Sequence, residues 1–197
     1  MFPKNVILYA LGPPCLRFTP SSLILPSLNF LLFNSILPED IVVHKVFLVE
    51  DDKHARFDAL SRSYEYKIYL GRNPFLLDLS WQIHSQKFDI EQMNTAASLL
   101  LQYTDFESFS KVKTEVFTFD CDITQAVWTQ RANELTFSIT ANRFLRNMVR
   151  AIVGTLIEVG TGKKSVDDFR EIIESKNRSK AGLSVPAKGL FLTAIKY

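Results

Sequence analysis

The stretch from Asn142 to Gly162 constrains the fold more than any other part of the chain. Its apolar residues recur at three- and four-residue spacing and leave only a narrow polar strip, which predicts a long, mostly buried helix. The apolar positions are Phe144, Leu145, Met148, Val149, Ile152, Val153, Leu156, Ile157 and Val159. Gly160 and Gly162 then predict the end of the helix. The rest of the chain is expected to be arranged around this element.

Three arginines lie near the start of this predicted helix, at Arg143, Arg146 and Arg150. Spacings of three and four residues predict that they line one side of its first two turns and attract an anionic partner. Arg150 sits inside the apolar pattern, and a buried guanidinium is rare unless it is paired or bound to an anion. Two interpretations remain open from periodicity. Arg150 is either an ion-paired or snorkelling arginine at a helix edge, or it holds a carboxylate or phosphate in a cleft.

Composition limits the class of protein. A chain of 197 residues with 47% hydrophobic residues can bury a core and predicts a globular protein of one domain or two small ones. The formal charge of +2 neither demands nor excludes a nucleic acid partner. Cys15 and Cys121 are far apart, so a reduced, cytoplasmic protein is expected. No run of eighteen apolar residues occurs, which argues against a membrane span.

The first 38 residues differ from the rest, because they contain six of the eight prolines. Residues 1–26 predict no regular structure, whereas Ser27–Ile36 predicts a helix with apolar residues on one face. We therefore interpret residues 1–33 as an atypical, proline-rich segment that is not part of the main domain.

From residue 41 onward, strands and helices alternate. Gly71–Leu79 and Asn177–Lys188 are predicted loops, and the last two strands before residue 142 form a predicted hairpin around residues 131–133. The predicted strands are Ile41–Val49, Ser63–Leu70, about Asp122–Gln130, Glu134–Ala141 and Gly189–Tyr197. The further predicted helices are Asp89–Gln102 and Ser165–Ser175. This order predicts an α+β fold with mixed, largely antiparallel sheets and helices packed on them.

Few residue constellations in the chain could carry chemistry. The histidines His44, His54 and His84 have no i,i+4 pair, so no metal site is expected. No glycine-rich phosphate loop and no G-x-S-x-G motif occurs. What remains is a set of basic and aromatic residues. Arginine on phosphate and tyrosine stacked on a base can together hold one nucleotide splayed out of an RNA helix. The set consists of Arg56, Arg62, Tyr64 and Tyr66 in one place and Arg143, Arg146 and Arg150 in another.

Four separated segments carry a family resemblance. They are HARFDALSRSYEYKIY at 54–69, DFESF at 105–109, NRFLRNMVRAIVGTLIEVG at 142–160 and AKGLFLTAIKY at 187–197. In order and spacing they resemble the tRNA pseudouridine synthases of the TruA type, from about Asn34 to Tyr197. The resemblance implies a pseudouridine-synthase-like domain over residues 34–197. The remainder of its first half would lie at about 34–70 and its second half at about 71–197.

The resemblance implies an isomerase that converts uridine to pseudouridine in the anticodon stem-loop of tRNA, with no metal and no cofactor. It also implies a homodimer, and an α/β-type fold of two sheet-bearing halves with a cleft between them. In such a site Tyr64 lies against the target uracil, and Arg150 forms an ion pair with the catalytic aspartate. Phosphate contacts would come from basic residues around the cleft. The candidates are Arg56, Arg62, Arg143 and Arg146.

The chain departs from the family pattern at the nucleophile. The catalytic aspartate of the family belongs to a G-R-T-D-A-G motif upstream of the segment that Ile41 begins. No such motif occurs here, and no aspartate precedes Asp40. The expectation is a chain that resembles the C-terminal two-thirds of the enzyme and is impaired in catalysis. The alternative is a non-catalytic RNA-binding or dimerisation remnant.

Overall fold

The computed structural model describes residues 5–10, 16–18, 26–50, 52–84, 86–111 and 116–197. The chain divides into two compact units. The first unit comprises Met1–Leu60 and Thr193–Tyr197, and the second comprises Ser61–Leu192. The predicted boundaries at about residues 33 and 70 stay a prediction.

The first unit contains a three-stranded antiparallel sheet in the order β2–β1–β3, formed by β1 (Asn5–Ala10), β2 (Leu16–Phe18) and β3 (Val43–Val49). Helix α1 (Pro26–Ile36) precedes β3, and the side-chain amide of Asn34 joins the two. Its Nδ2 donates to the Val43 carbonyl at 2.8 Å, and its Oδ1 accepts from the Val43 amide at 2.7 Å. The predicted helix and the predicted strand from Ile41 are therefore confirmed.

The prediction of no regular structure for residues 1–26 is wrong at β1 and β2. The prolines at positions 3, 13, 14 and 20 flank these two short strands and do not interrupt them. β1 also pairs with β3, far along the chain, and local sequence does not reveal such a partner. The remaining residues of that stretch up to residue 25 lie outside the described residues.

The second unit is built on a five-stranded sheet in the order β5–β4–β7–β6, with a fifth strand, β8, paired to β4. Its strands are β4 (Ser61–Leu70), β5 (Trp81–Ile83), β6 (Ile123–Arg131), β7 (Glu134–Ala141) and β8 (Leu190–Lys196), of which β8 continues into the first unit. β7 pairs antiparallel with β4 and β6, and β5 pairs parallel with β4. The predicted hairpin is confirmed, with Ala132 at a φ of 49° in its turn. β5 was not predicted, since three residues are too few for a pattern.

Three helices complete the second unit: α2 (Ile90–Leu99), α3 (Met148–Gly160) and α4 (Val166–Glu174). Asp89 caps α2, which packs against β6 and α3. Ser165 and Asp168 form a capping box at the start of α4. Most of α3 is buried, including Ile152, Val153 and Leu156. Helices packed on mixed, largely antiparallel sheets confirm the predicted α+β class.

Helix α3 starts later than the apolar pattern predicts. Asn147 has a φ of 69°, in the left-handed region that ends helical backbone on its N-terminal side. Arg143 and Arg146 therefore precede the helix, and the prediction that they share one side of its first turns with Arg150 is wrong. Phe144 and Leu145 extend the apolar pattern because they pack on the core from non-helical backbone. Among the described residues, no helix is long and apolar enough to cross a membrane.

Candidate functional site

Strand β4 supplies one side of the candidate site. Arg62, Tyr64 and Tyr66 stand at alternate positions of the strand, so they point to the same face of the sheet. Burial increases along this row, from the half-buried Arg62 and Tyr64 to Tyr66, which is completely buried. The row runs from the edge of the second unit into its core.

Arg150, in the first turn of α3, lies near the inner end of this row. It is half-buried, and its Nε donates a hydrogen bond to the Val185 carbonyl at 2.6 Å. The Val185 amide in turn donates to the Arg150 carbonyl at 3.2 Å. Among the described residues, no acceptor for Nη1 or Nη2 and no ion-pair partner is found. The guanidinium is thus fixed at one nitrogen, with its two terminal nitrogens available as donors.

Tyr66 connects β4 to the same loop. Its hydroxyl donates to the Pro186 carbonyl at 2.7 Å, one residue beyond the carbonyl that holds Arg150. Burial raises the pKa of Tyr66 far above its ordinary value, and the nearby positive charge of Arg150 opposes that shift. The phenol is therefore neutral, and it acts as a hydrogen-bond donor.

Tyr64 is the half-buried aromatic member of the row. Its ring packs edge-on against Phe144, with ring centroids 5.1 Å apart and an interplanar angle of 88°. Burial raises the pKa of Tyr64, and Arg62 partly offsets this effect. A neutral, half-buried ring whose orientation is set by a second ring is suited to lie against a planar base.

Arg62 ties β4 to the segment that precedes α3. Its Nη1 donates to the Asn142 carbonyl at 2.6 Å. The Asn142 side chain is itself paired with Asp122, through Nδ2 to Oδ2 at 2.8 Å and through Oδ1 from the Asp122 amide at 2.9 Å. The segment that carries Phe144 and Arg146 is thereby fixed at its first residue.

The other predicted arginines are distributed over both units. Arg143 is half-buried and makes a long contact with Thr118, from Nη1 to Oγ1 at 3.4 Å, whereas Arg146 is exposed.

Arg56 is exposed and belongs to the first unit, where its guanidinium lies 5.7 Å from the centre of the Phe57 ring. His54 shapes that turn, because its Nδ1 accepts from the Arg56 and Phe57 amides. The structure thus places Arg62, Arg143, Arg146 and Arg150 in one unit with Tyr64.

Sequence reasoning missed the backbone that holds Arg150. The carbonyls of Val185 and Pro186 lie in the predicted loop Asn177–Lys188, and no side-chain pattern marks a carbonyl as an acceptor. Phe144 was counted only as a core residue, although it also orients Tyr64. Among the described residues, no group of three or more His, Cys, Asp or Glu could hold a metal ion.

Comparison with known proteins identifies relatives of the whole site region. A family model described as tRNA pseudouridine synthase matches residues 96–197. Proteins named tRNA pseudouridine synthase A match from Porphyromonas gingivalis at 53% identity and from Bacteroides fragilis at 54% identity, each over 166 residues. These matches cover 83% of this chain, and 66% and 65% of the two relatives. The Bacillus subtilis protein of the same name is 38% identical over 165 residues, 83% of this chain and 67% of its own. The chain thus spans just under two thirds of the length of the first two relatives.

Proposed function

This chain belongs to the tRNA pseudouridine synthase family, and on that premise we propose that its second unit is the uridine-binding part of such an enzyme. The proposed reaction is the isomerisation of uridine to pseudouridine in the anticodon stem-loop of tRNA, without a metal or cofactor. The observation that carries the proposal is the state of Arg150. Its guanidinium is fixed through Nε to the Val185 carbonyl, and its terminal nitrogens have no acceptor among the described residues.

The chemistry requires a trapped base and an ionised carboxylate. The N1–C1′ bond breaks, uracil turns, and C5 bonds to C1′; C5 then loses its proton and N1 gains one. The base must therefore stay in place while the glycosidic bond is broken. Tyr64 lies against the uracil ring. Where the family's catalytic aspartate is present, the terminal nitrogens of Arg150 would pair with its carboxylate, orient it and keep it ionised at neutral pH.

Binding of the RNA backbone falls to the basic residues. Arg146 is exposed on the segment that leads into α3, and Arg143 lies close by in sequence. Together with Arg62, these side chains contact the phosphates that flank the splayed-out uridine. Arg56, in the first unit, stays a predicted phosphate contact. Such contacts place the tRNA without reading its sequence.

We infer that neither Asp58 nor Asp105 replaces the family's nucleophile. Asp105 is 2.7 Å from the Lys176 ammonium and accepts from the Glu107 amide, and Asp58 accepts from the His54 amide. Both carboxylates therefore serve local structure. Because the chain has no G-R-T-D-A-G motif, we propose that the 197-residue polypeptide binds tRNA with little or no turnover. It would work in the cytoplasm, as a homodimer.

The absence of that motif also favours a second candidate function, a non-catalytic RNA-binding or dimerisation remnant. The two candidates share the fold and the tRNA partner and differ on chemistry. For this chain we further separate them by whether a uridine is engaged. In the first candidate, the site still binds a single uridine base. In the second, the RNA is held only by its backbone.

Competition binding tests the proposed uridine recognition. A labelled tRNA transcript is bound to the protein and displaced by its own anticodon stem-loop, either unchanged or with every loop uridine replaced by cytidine. We expect the unchanged stem-loop to compete better. Equal competition by both would support the backbone-binding remnant. No binding of any tRNA would contradict the uridine-binding enzyme and the RNA-binding remnant, and it would leave the dimerisation remnant.

A further inference from the structure

The segment Gly182–Val185 runs beside α3 and Asn147, the residue before the helix, and hydrogen bonds hold it there. The Gly182 amide donates to Thr155 Oγ1 at 2.9 Å, and the Val185 amide donates to the Arg150 carbonyl at 3.2 Å. Nearer the start of the helix, Asn147 Nδ2 donates to Ser184 Oγ at 2.5 Å. Asn147 offers its side chain to this segment and not to the helix terminus, in keeping with its left-handed backbone.

Two glycines allow the segment to approach α3 as backbone against backbone. A Cβ atom at Gly154 would overlap the Leu183 carbonyl oxygen, and one at Gly182 would lie 3.0 Å from the carbonyl carbon of Gly154. Both glycines are buried. Because backbone atoms pack there without an intervening side chain, a small shift of the segment would be transmitted directly to the carbonyl of Val185.

Arg178 holds this segment in its conformation. Its half-buried guanidinium donates from Nη1 to the Gly182 carbonyl at 3.1 Å and to the Ala181 carbonyl at 3.4 Å. Nη2 donates to Ser184 Oγ at 3.0 Å. The planar fork of one arginine therefore bonds to three residues of the turn that ends at Val185, a geometry that a lysine ammonium does not reproduce.

We propose that Arg178 is a positioning residue for Arg150. It fixes the turn from Ala181 to Ser184, the turn places the Val185 carbonyl, and that carbonyl holds Arg150 Nε. The terminal nitrogens of Arg150 are thereby oriented before an anion binds. This lowers the entropic cost of ordering the side chain when the anion binds. A role of this orientation of Arg150 in catalysis rests on the proposed function. The orientation itself can be tested in this chain alone.

Hydrogen exchange at Arg150 tests the proposal in the intact 197-residue protein. The Nε–H signal of Arg150 is identified in a ¹⁵N spectrum by its loss in Arg150→Lys. In Arg178→Met this signal, and the amides of Gly182 and Val185, should exchange about tenfold faster or more, since hydrogen bonds from a charged donor are lost locally. The amide of Phe137, in the core of the sheet, should keep its rate.

Lys180→Met is the matched control, because it removes an exposed positive charge from the same loop. It should leave the Arg150 signal unchanged, and Arg178→Lys should restore part of the protection. If Arg178→Met fails to fold, Ser184→Ala carries the test, since it removes the acceptor that Arg178 and Asn147 share.

Unchanged exchange at Arg150 Nε–H would overturn the proposal. Equal acceleration at Arg150 and Phe137 would also overturn it, because Arg178 would then only stabilise the fold as a whole. Failure of the proposed function is a separate result. It would appear as loss of tRNA recognition in the unaltered protein, which the exchange rates do not report.

Discussion

At the scale of single residues, two neighbouring carbonyls join the two polar side chains of the candidate site. Val185 accepts from Arg150, and Pro186 accepts from Tyr66. Burial keeps the Tyr66 phenol neutral by raising its pKa, so Tyr66 does not pair with Arg150 as a phenolate in place of an anionic ligand. The terminal donors of the guanidinium therefore stay available for a ligand.

Tyr64 allows a direct test of base contact. Tyr64→Ala should weaken binding of the tRNA stem-loop by about 1–3 kcal/mol, the usual contribution of one base stacked on an aromatic ring. Tyr64→Phe keeps the ring and its edge-on contact with Phe144, so its affinity should stay close to that of the unaltered protein. Fluorescence anisotropy with a labelled stem-loop measures both. Equal loss in the two variants would show that the hydroxyl, and not the ring, makes the contact.

The sequence singles out Tyr64 and Arg150 because both lie in recognisable motifs, and because an arginine within an apolar pattern needs a partner. It does not reveal the acceptor of Arg150, since any residue type can offer its carbonyl. It also does not reveal Arg178, whose importance comes from the turn it closes. The sequence could therefore nominate side chains for this site, and it could not nominate the backbone that orients them.

At the scale of elements, the contact between α3 and the segment Gly182–Val185 depends on Gly154. Gly154→Ala should reduce the free energy of unfolding by about 1–3 kcal/mol, because the added methyl group overlaps a backbone oxygen that cannot move alone. Gly160→Ala is the matched substitution in the same helix. There the new Cβ meets the flexible side chain of Met93, which can rotate, so the loss should be smaller. Urea denaturation measures both, and the reverse order would contradict this account of the packing.

The ion pair between Asp105 and Lys176 predicts a pH dependence. Burial alone would raise the pKa of Asp105, but the hydrogen bond from Lys176 and the Glu107 amide hold it below its ordinary value. A carboxyl whose pKa is lowered in the folded state stabilises at neutral pH, and this contribution disappears as the carboxyl becomes protonated. Asp105→Asn should therefore lower the Tm at pH 7, with a difference that shrinks below about pH 4.

The control for this ion pair is Asp78→Asn, since Asp78 is exposed in the loop before β5. It should leave the Tm nearly unchanged at every pH. A loss in Asp105→Asn that stayed constant down to low pH would point to packing and not to charge.

Element boundaries show where sequence periodicity reaches its limit. The pattern predicted α2, α4 and the hairpin of β6 and β7, because each has its own apolar period and a cap or turn. The pattern misplaced the start of α3, because Asn147 adopts left-handed backbone. Asparagine does so more readily than most residues, but the apolar period does not indicate at which asparagine this happens. β1 and β5 were missed because their pairing partners, and not their own residues, make them strands.

At the scale of the whole molecule, a formal charge of +2 is too small to attract RNA by itself. Affinity should come from the local arginines, and it should fall with salt as counterions are released. Arg146→Gln should weaken tRNA binding and reduce the slope of log K against log salt by about 0.7–0.9, the share of one phosphate contact. Arg170→Gln is the control, because Arg170 is paired with Asp167 on α4. An unchanged slope for Arg146→Gln would remove Arg146 from the RNA surface.

The most direct test of the proposed function is release of tritium from a tRNA transcript labelled at C5 of uridine, with binding measured on the same protein sample. The 197-residue chain should bind the transcript and release no tritium above background, because it contains the proposed uridine site without the family's aspartate motif. Release above background would contradict this account, since another carboxylate would then have to act as the nucleophile beside Arg150.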